Sequence, residues 1–130
     1  MTTQMSFMLA VEDAGAAADW YQRALGASQL WSLGSVRGLH IDGAPFFLHE
    51  STGRFSTPLA SGVVTTRVEV FVDDPDAFVR RAVAAGADGS GDAVRDHEVP
   101  WGVHRQGGFT DPFGHRWLVG DATPLHPHPA

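Results

Sequence analysis

The feature that most constrains this chain is an internal repeat, in which a strand, a helix and further strands occur twice. A valine, an acidic residue and an aspartate stand together at residues 11–13 and again at residues 72–74. A second matching pair, Leu25-Gly26-Ala27 and Ala85-Gly86-Ala87, falls where each helix is expected to end. Because one such half could not bury its sheet face well alone, we expect the two halves to pair.

The first half carries signals for every element of one repeat. Phe7, Leu9 and Val11 alternate with Ser6, Met8 and Ala10, which predicts a strand with one strongly apolar face. Asp13 is a suitable N-cap, an apolar stripe containing Trp20 and Tyr21 follows at helical spacing, and Gly26 ends the predicted helix. Three short strands are predicted within residues 28–50, with Asp42-Gly43 as the hairpin turn between the last two.

The second half repeats these signals with a longer loop. Alternation over residues 66–73 predicts a strand, and Asp74 followed by Pro75 predicts the start of a helix that ends at Gly86. Residues 88–106 are glycine-rich and polar, and they predict one strand and a long loop. The run from Asp111 through Pro112 to Gly114 has the composition of a turn that joins two closing strands.

These signals divide one domain, residues 1–130, into two modules. The first covers about residues 5–50 and the second about 63–121, and residues 51–62, which lack periodicity, are predicted to link them. Residues 122–130 hold several prolines and are predicted to be a disordered tail.

Composition excludes several classes of protein. The formal net charge is −6 and the basic residues are scattered, which argues against nucleic acid or an anionic membrane as a partner. There is no apolar run of transmembrane length and no signal-peptide pattern, so we expect a cytoplasmic protein. The chain has no cysteine, which rules out disulfides and thiolate chemistry. Phosphate-binding loops, dinucleotide motifs and serine-nucleophile elbows are also missing from the sequence.

Two segments resemble the signatures of one superfamily. The helix segment from Ala18 to Ala27, with Trp20-Tyr21 at its centre, and the closing Asp111-Pro112-Phe113-Gly114-His115-Arg116-Trp117 resemble the vicinal oxygen chelate superfamily. That superfamily includes glyoxalases, extradiol dioxygenases and bleomycin-resistance proteins, and the resemblance covers nearly all of residues 5–121. It implies an α+β fold of two tandem βαβββ modules that form a curved mixed sheet.

The resemblance also implies where a divalent metal would bind, in a cup lined by the first and last strand of each module. Counting from the matched motifs puts the four ligand positions at Ser6, Phe47, Arg67 and Leu118. None of these is a good ligand, since a guanidinium repels a cation and two of the side chains are apolar. A slip of two residues would offer His49 and Glu69, with a third ligand from another histidine only in an unusual arrangement. We therefore expect no metal and no cofactor.

Without a metal, the inner face of the cup is predicted to be aromatic with a few polar anchors. Flat side chains stack on conjugated ligands, and charged side chains orient them. Core packing remains an alternative for each aromatic residue, and the sequence leaves that choice open for Trp31 and Trp101. The predicted ligand-binding residues are Trp31, Phe47, His49, Arg67, Glu69, Phe71, Trp101, His104 and Trp117.

The resemblance to metal-free bleomycin-resistance proteins implies a homodimer that sequesters an aromatic natural product or antibiotic, and so gives resistance by binding. The sequence favours this binding protein over an enzyme, but alternatives stay open. One is a metal-dependent lyase, isomerase or dioxygenase that uses His49 and Glu69. Others are a metal-free catalyst with Glu69 or a histidine as general base, and a protein-interaction module.

Overall fold

The computed structural model describes residues 2–127, and the chain divides into two compact units, Met1–Val63 and Val64–Ala130. Each unit contains a four-stranded mixed sheet with a helix on one side. The predicted α+β fold of two tandem βαβββ modules is confirmed.

The first unit follows the order predicted from its sequence. Strand β1 pairs parallel with β4, and β4, β3 and β2 follow as antiparallel neighbours, so the sheet order is β1-β4-β3-β2. Its elements are β1 (Met8–Val11), α1 (Ala14–Leu25), β2 (Ser28–Leu33), β3 (Val36–Ile41), β4 (Ala44–Glu50) and α2 (Pro58–Ser61).

Local chemistry sets the bounds of these elements. The Asp13 carboxylate accepts a hydrogen bond from the Ala16 N–H at 3.0 Å and caps α1, and Gly26 ends it in the left-handed region. Asp42 and Gly43 both have positive φ, 49° and 86°, as a two-residue turn between β3 and β4 requires. The predicted linker contains α2, which is capped by the buried Thr57.

Alternation along β4 separates the core of this unit from its opposite sheet face. Phe46 and Leu48 are buried on the side of α1, where Phe46 meets the Tyr21 ring edge-on at 5.5 Å and stacks on Phe7 at 5.2 Å. Phe47 and His49 therefore point to the other side of the sheet. We call that other side the open face of the first sheet.

The second unit repeats this topology. Strand β5 pairs parallel with β8, and the sheet order is β5-β8-β7-β6. Its elements are β5 (Arg67–Phe71), α3 (Pro75–Ala84), β6 (Arg95–Val99), β7 (Gly102–Thr110), β8 (Arg116–Gly120) and a 3-10 turn (Thr123–Leu125).

An ion-pair network fixes α3 against this sheet. The Arg105 guanidinium donates two hydrogen bonds to Asp76 in the first turn of α3, at 2.7 and 2.8 Å, and one to Asp96 on β6 at 2.9 Å. The hydrogen bonds from Arg105 hold the pKa of Asp76 below its usual value. The side of the second sheet away from α3 is called the open face of the second sheet.

One sequence prediction for this unit is wrong. Residues 88–106, predicted to be one strand and a long loop, contain β6 and the first part of β7 instead. The polar side chains of an edge strand resemble loop composition. Residues 123–125 of the predicted tail form the 3-10 turn. Residues 128–130 lie outside the described part of the chain.

Candidate functional site

The open face of the first sheet presents an exposed pair of aromatic rings. In the register of the sheet, Phe47 is the partner of Met8 on β1 and of Gly38 on β3, and Gly38 is the partner of Trp31 on β2. A shift in register between Gln29 and Trp31 brings the indole opposite that glycine. We call Trp31, Gly38 and Phe47 the aromatic ledge.

A glycine at position 38 makes this arrangement possible. A Cβ there would lie 2.9 Å from Trp31 Cε2 and 3.3 Å from Phe47 Cε1, so the two rings lie over the bare backbone. Their centroids are 5.7 Å apart with an interplanar angle of 34°. Although its ring packs against Phe47, Trp31 stays 39% exposed. Leu33 on the same strand and Met8, the partner of Phe47 on β1, are exposed too. The ledge is therefore an accessible apolar surface of two tilted rings.

His49 lies on the same open face as the ledge. Its Nδ1 is 3.0 Å from the Glu50 carbonyl oxygen, and its ring meets Phe55 edge-on at 5.7 Å. These contacts hold the imidazole against the backbone and the Phe55 ring, as expected of a packed histidine rather than a metal ligand.

The open face of the second sheet carries charged residues. Arg67 and Glu69 are exposed on β5, and their register partners on β8 are Arg116 and Leu118. The Gln106 amide lies 3.5 Å from the Glu69 carboxylate. The Arg67 guanidinium makes no hydrogen bond or ion pair with residues 2–127. Phe71, which is half-buried, ends this face of β5.

His104 and Trp101 belong to a network at one end of the second sheet. His104 Nδ1 is 2.7 Å from the Asp121 carboxylate, which also accepts from the Thr123 hydroxyl at 2.7 Å. The Trp101 indole N–H donates to the Thr123 hydroxyl oxygen at 3.2 Å. Partial burial opposes ionisation of Asp121, but hydrogen bonds from Thr123, the Arg105 N–H and His104 outweigh it and hold the pKa of that carboxyl well below its usual range.

The structure corrects the placement of Trp117. The sequence predicts this residue on the inner face with Arg67 and Glu69, but it is 1% exposed on the side of α3. There it stacks on Phe109 at 5.9 Å and donates its indole N–H to Asp111 at 3.0 Å. Leu118 is the neighbour that faces outward, because successive residues of a strand point to opposite faces.

The four positions implied for a metal do not suit one. Ser6 donates its hydroxyl to the Pro45 carbonyl oxygen, Phe47 belongs to the aromatic ledge, and Arg67 stands beside Arg116 on the open face of the second sheet. Across residues 2–127, no three histidines, aspartates or glutamates come together in a way that could hold a metal ion. This donor set does not fit the metal of the superfamily.

Sequence reasoning missed two residues of these surfaces. Gly38 carries a sequence signal, since a glycine inside a strand pattern often marks a close approach. Asp121 carried none, because its contact with His104 joins residues that only the folded β7 and β8 bring together.

Residues 6–120 match the family described as glyoxalase-like domain, and the chain belongs to that family. The resemblance to the vicinal oxygen chelate superfamily is thereby confirmed. An uncharacterized protein of Mycobacterium tuberculosis, Rv0887c, is 33% identical over 123 residues, which are 86% of this chain and 70% of the relative.

Solved structures share the fold over nearly the whole chain. TioX from Micromonospora sp. ML1 is similar with a TM-score of 0.69 and 27% identity, over 92% of this chain and 98% of TioX. A bleomycin-binding protein complexed with bleomycin has a TM-score of 0.67 and 22% identity, over 92% of this chain and 98% of that protein. The fosfomycin resistance protein FosX of Mesorhizobium loti gives 0.66 and 12%, over 96% of each chain. The last two, at these identities, show the fold alone. No helix within residues 2–127 is long and apolar enough to cross a membrane.

Proposed function

We propose that this protein binds a small molecule with a planar aromatic part, without a metal, and sequesters it unchanged. The observation that carries the proposal is the aromatic ledge, where Trp31 lies exposed over Gly38 against Phe47. A large aromatic side chain kept flat and accessible on a strand contributes little to the core, which lies on the other side of the sheet.

The ledge suits conjugated rings for a physical reason. Stacking of a flat ligand on an indole contributes roughly 0.5–1.5 kcal/mol beyond the burial of apolar area. Met8 and Leu33 extend the surface with exposed aliphatic atoms, and His49 offers a polar edge on the same face. Ligand sites combine such apolar area with a few polar groups.

The open face of the second sheet, in the other unit, carries candidate ligand contacts of its own. Arg67 is exposed and makes no ion pair with residues 2–127, so its guanidinium is available for a charge-assisted hydrogen bond. Glu69 and Phe71 stand on the same face of the same strand. We propose these three residues as ligand contacts of the second unit taken by itself.

The family gives this proposal its setting. A bleomycin-binding protein shares the fold, and its structure contains bleomycin. We propose that the ligand here is likewise an antibiotic-type natural product, that binding gives resistance, and that the protein acts in the cytoplasm as a homodimer. Light scattering coupled to size-exclusion chromatography measures the dimer, and a mass of 13.9 kDa at all concentrations would disprove it.

Tryptophan fluorescence tests the binding proposal directly. Trp20 and Trp117 are buried, whereas Trp31 and Trp101 are 39% and 38% exposed, so a matched pair of variants isolates the ledge. We expect bleomycin or a flat anthracycline to quench the wild type with a dissociation constant below about 100 µM. Trp31→Ala should abolish most of the quenching, and Trp101→Phe should retain it.

Three results would contradict the proposal. They are no binding of any aromatic antibiotic below about 100 µM, equal quenching in Trp31→Ala, and chemical change of the bound compound by mass spectrometry. Chemical change of the compound, together with about one retained metal ion per chain after dialysis, would favour a metal-dependent enzyme instead. Glu69→Ala would then show whether Glu69 takes part.

A further inference from the structure

The most unusual group in the second unit is the buried imidazole of His104 on β7. The residue is 5% exposed, and within residues 2–127 its Nε2 is the buried side-chain polar atom without a hydrogen-bond partner. Buried polar atoms are nearly always hydrogen-bonded, so an orphaned atom indicates a position where another group binds.

Asp121 determines which nitrogen of the ring carries the proton. Its carboxylate accepts from the Arg105 N–H at 2.9 Å and the Thr123 hydroxyl at 2.7 Å, and it lies 2.7 Å from His104 Nδ1. An ionised carboxylate only accepts, so Nδ1 donates, and the tautomer with its single proton on Nδ1 keeps a lone pair at Nε2. In that tautomer Nε2 is a hydrogen-bond acceptor.

Gly120 determines where this acceptor lies. A Cβ on Gly120 would be 2.8 Å from His104 Cε1 and 3.0 Å from Nε2, so this edge of the ring lies over the bare backbone of β8. Gly120 is the register partner of Phe71 on β5 and of Gln106 on β7. The acceptor edge thus lies on the open face of the second sheet, in the row that contains Phe71.

We propose that this position binds a neutral aromatic hydroxyl compound, whose O–H donates to His104 Nε2 while its ring packs against Phe71. The Nδ1 edge of the imidazole is occupied by Asp121 and Thr123, which leaves the Nε2 edge for the ligand. A carboxylate ligand is disfavoured, because Asp121 is ionised behind the ring and the chain carries a net charge of −6. The site does not depend on the aromatic ledge, since all of its residues belong to the second unit.

Nuclear magnetic resonance of the ¹⁵N-labelled full chain, titrated with phenol, tests this site. We expect the His104 side-chain resonances to show a proton on Nδ1, and the Nε2 resonance to shift as phenol binds. Toluene has no hydroxyl and should bind about tenfold more weakly than phenol, which is the effect of one hydrogen bond. Benzoate should not bind at this position.

Variants separate a ligand contact from a structural role. His104→Phe should weaken phenol binding about tenfold and leave the binding of toluene unchanged. The matched control is His97→Phe, because His97 is the register partner of His104 but its Nε2 lies 3.0 Å from the Gln106 carbonyl oxygen. Asp121→Asn should shift the imidazole toward a mixture of tautomers and weaken phenol binding, as expected of a positioning residue.

Equal binding of phenol and toluene, or a His104 Nε2 resonance that phenol does not move, would overturn the proposal. A cross-peak from Nε2 to water that persists at saturating phenol would show that a buried water is its only partner. If His104→Phe fails to fold, Gly120→Ala takes its place, since its Cβ would lie 2.8 Å from His104 Cε1 and so must displace the ring. These readouts report on His104, whereas antibiotic quenching reports on Trp31, so the two proposals fail separately.

Discussion

The aromatic ledge depends on a single missing methyl group, so Gly38→Ala is the sharpest perturbation of it. The added Cβ would lie 2.9 Å from Trp31 Cε2 and 3.0 Å from its Nε1. Attractive carbon contacts begin near 3.5 Å, so the indole must move by roughly 0.6 Å or rotate away from Phe47. The φ of Gly38 is outside the left-handed region, so the backbone itself accepts alanine.

The size of the effect follows from the contact that is lost. Separating the Trp31 and Phe47 rings removes an aromatic pair of roughly 0.5–1.5 kcal/mol, and a flat ligand loses the surface that the pair formed. We therefore expect aromatic ligands to bind roughly two- to twelvefold more weakly. The free energy of unfolding should fall by no more than about 1.5 kcal/mol, because Trp31 is only partly buried.

Two measurements check this prediction. Tryptophan emission should shift to longer wavelength as the indole leaves Phe47, and anthracycline titrations should report the lower affinity. Gly53→Ala is the matched control in the same unit, since its Cβ would meet no atom within 4 Å. If Gly38→Ala keeps the emission and the affinity of the wild type, the ledge is not the binding surface.

Further predictions concern stability. Phe46→Ala should lower the free energy of unfolding by about 3–5 kcal/mol in urea denaturation, because Phe46 is buried between Phe7 and Tyr21. Gly108→Ala should prevent correct closure of the β7–β8 pair, since its Cβ would collide with the Trp117 carbonyl oxygen; soluble expression and circular dichroism check this, and a native-like Gly108→Ala would contradict it. The pKa of Asp121 is lowered on folding, so its contribution to stability is present above about pH 4 and is lost as the pH falls toward the folded value. The urea concentration at the midpoint of unfolding should therefore fall less steeply with decreasing pH in Asp121→Asn than in the wild type. The part of the slope that comes from Asp76 and Asp88 should remain.

Local signals predicted most of the fold because its elements begin and end with local chemistry. Asp13, Gly26, Asp74 and Pro75 act at the positions where the sequence placed them. The β6–β7 hairpin was missed, although its strands pair locally, because the polar side chains of an edge strand resemble loop composition.

The candidate site was less predictable for a related reason. Because successive residues of a strand point to opposite faces, the sequence allows either Trp117 or Leu118 to face α3. The stacking of Trp117 on Phe109 shows that Trp117 does. The environment of His104 likewise includes a contact with Asp121, which is seventeen residues away along the chain. Residue type suggested a ligand contact in each of these cases, but the contact partners determine the role.

The alternation along β4 also has a consequence for how such a protein can change over generations. Phe46 and Leu48 hold the first unit together, while Phe47 and His49, interleaved with them, face outward. A substitution at an outward position alters what the surface recognises without opening a cavity beneath α1. Residues that determine specificity thus alternate along β4 with residues that stabilise the fold. The chain can therefore acquire a new ligand while it keeps its core.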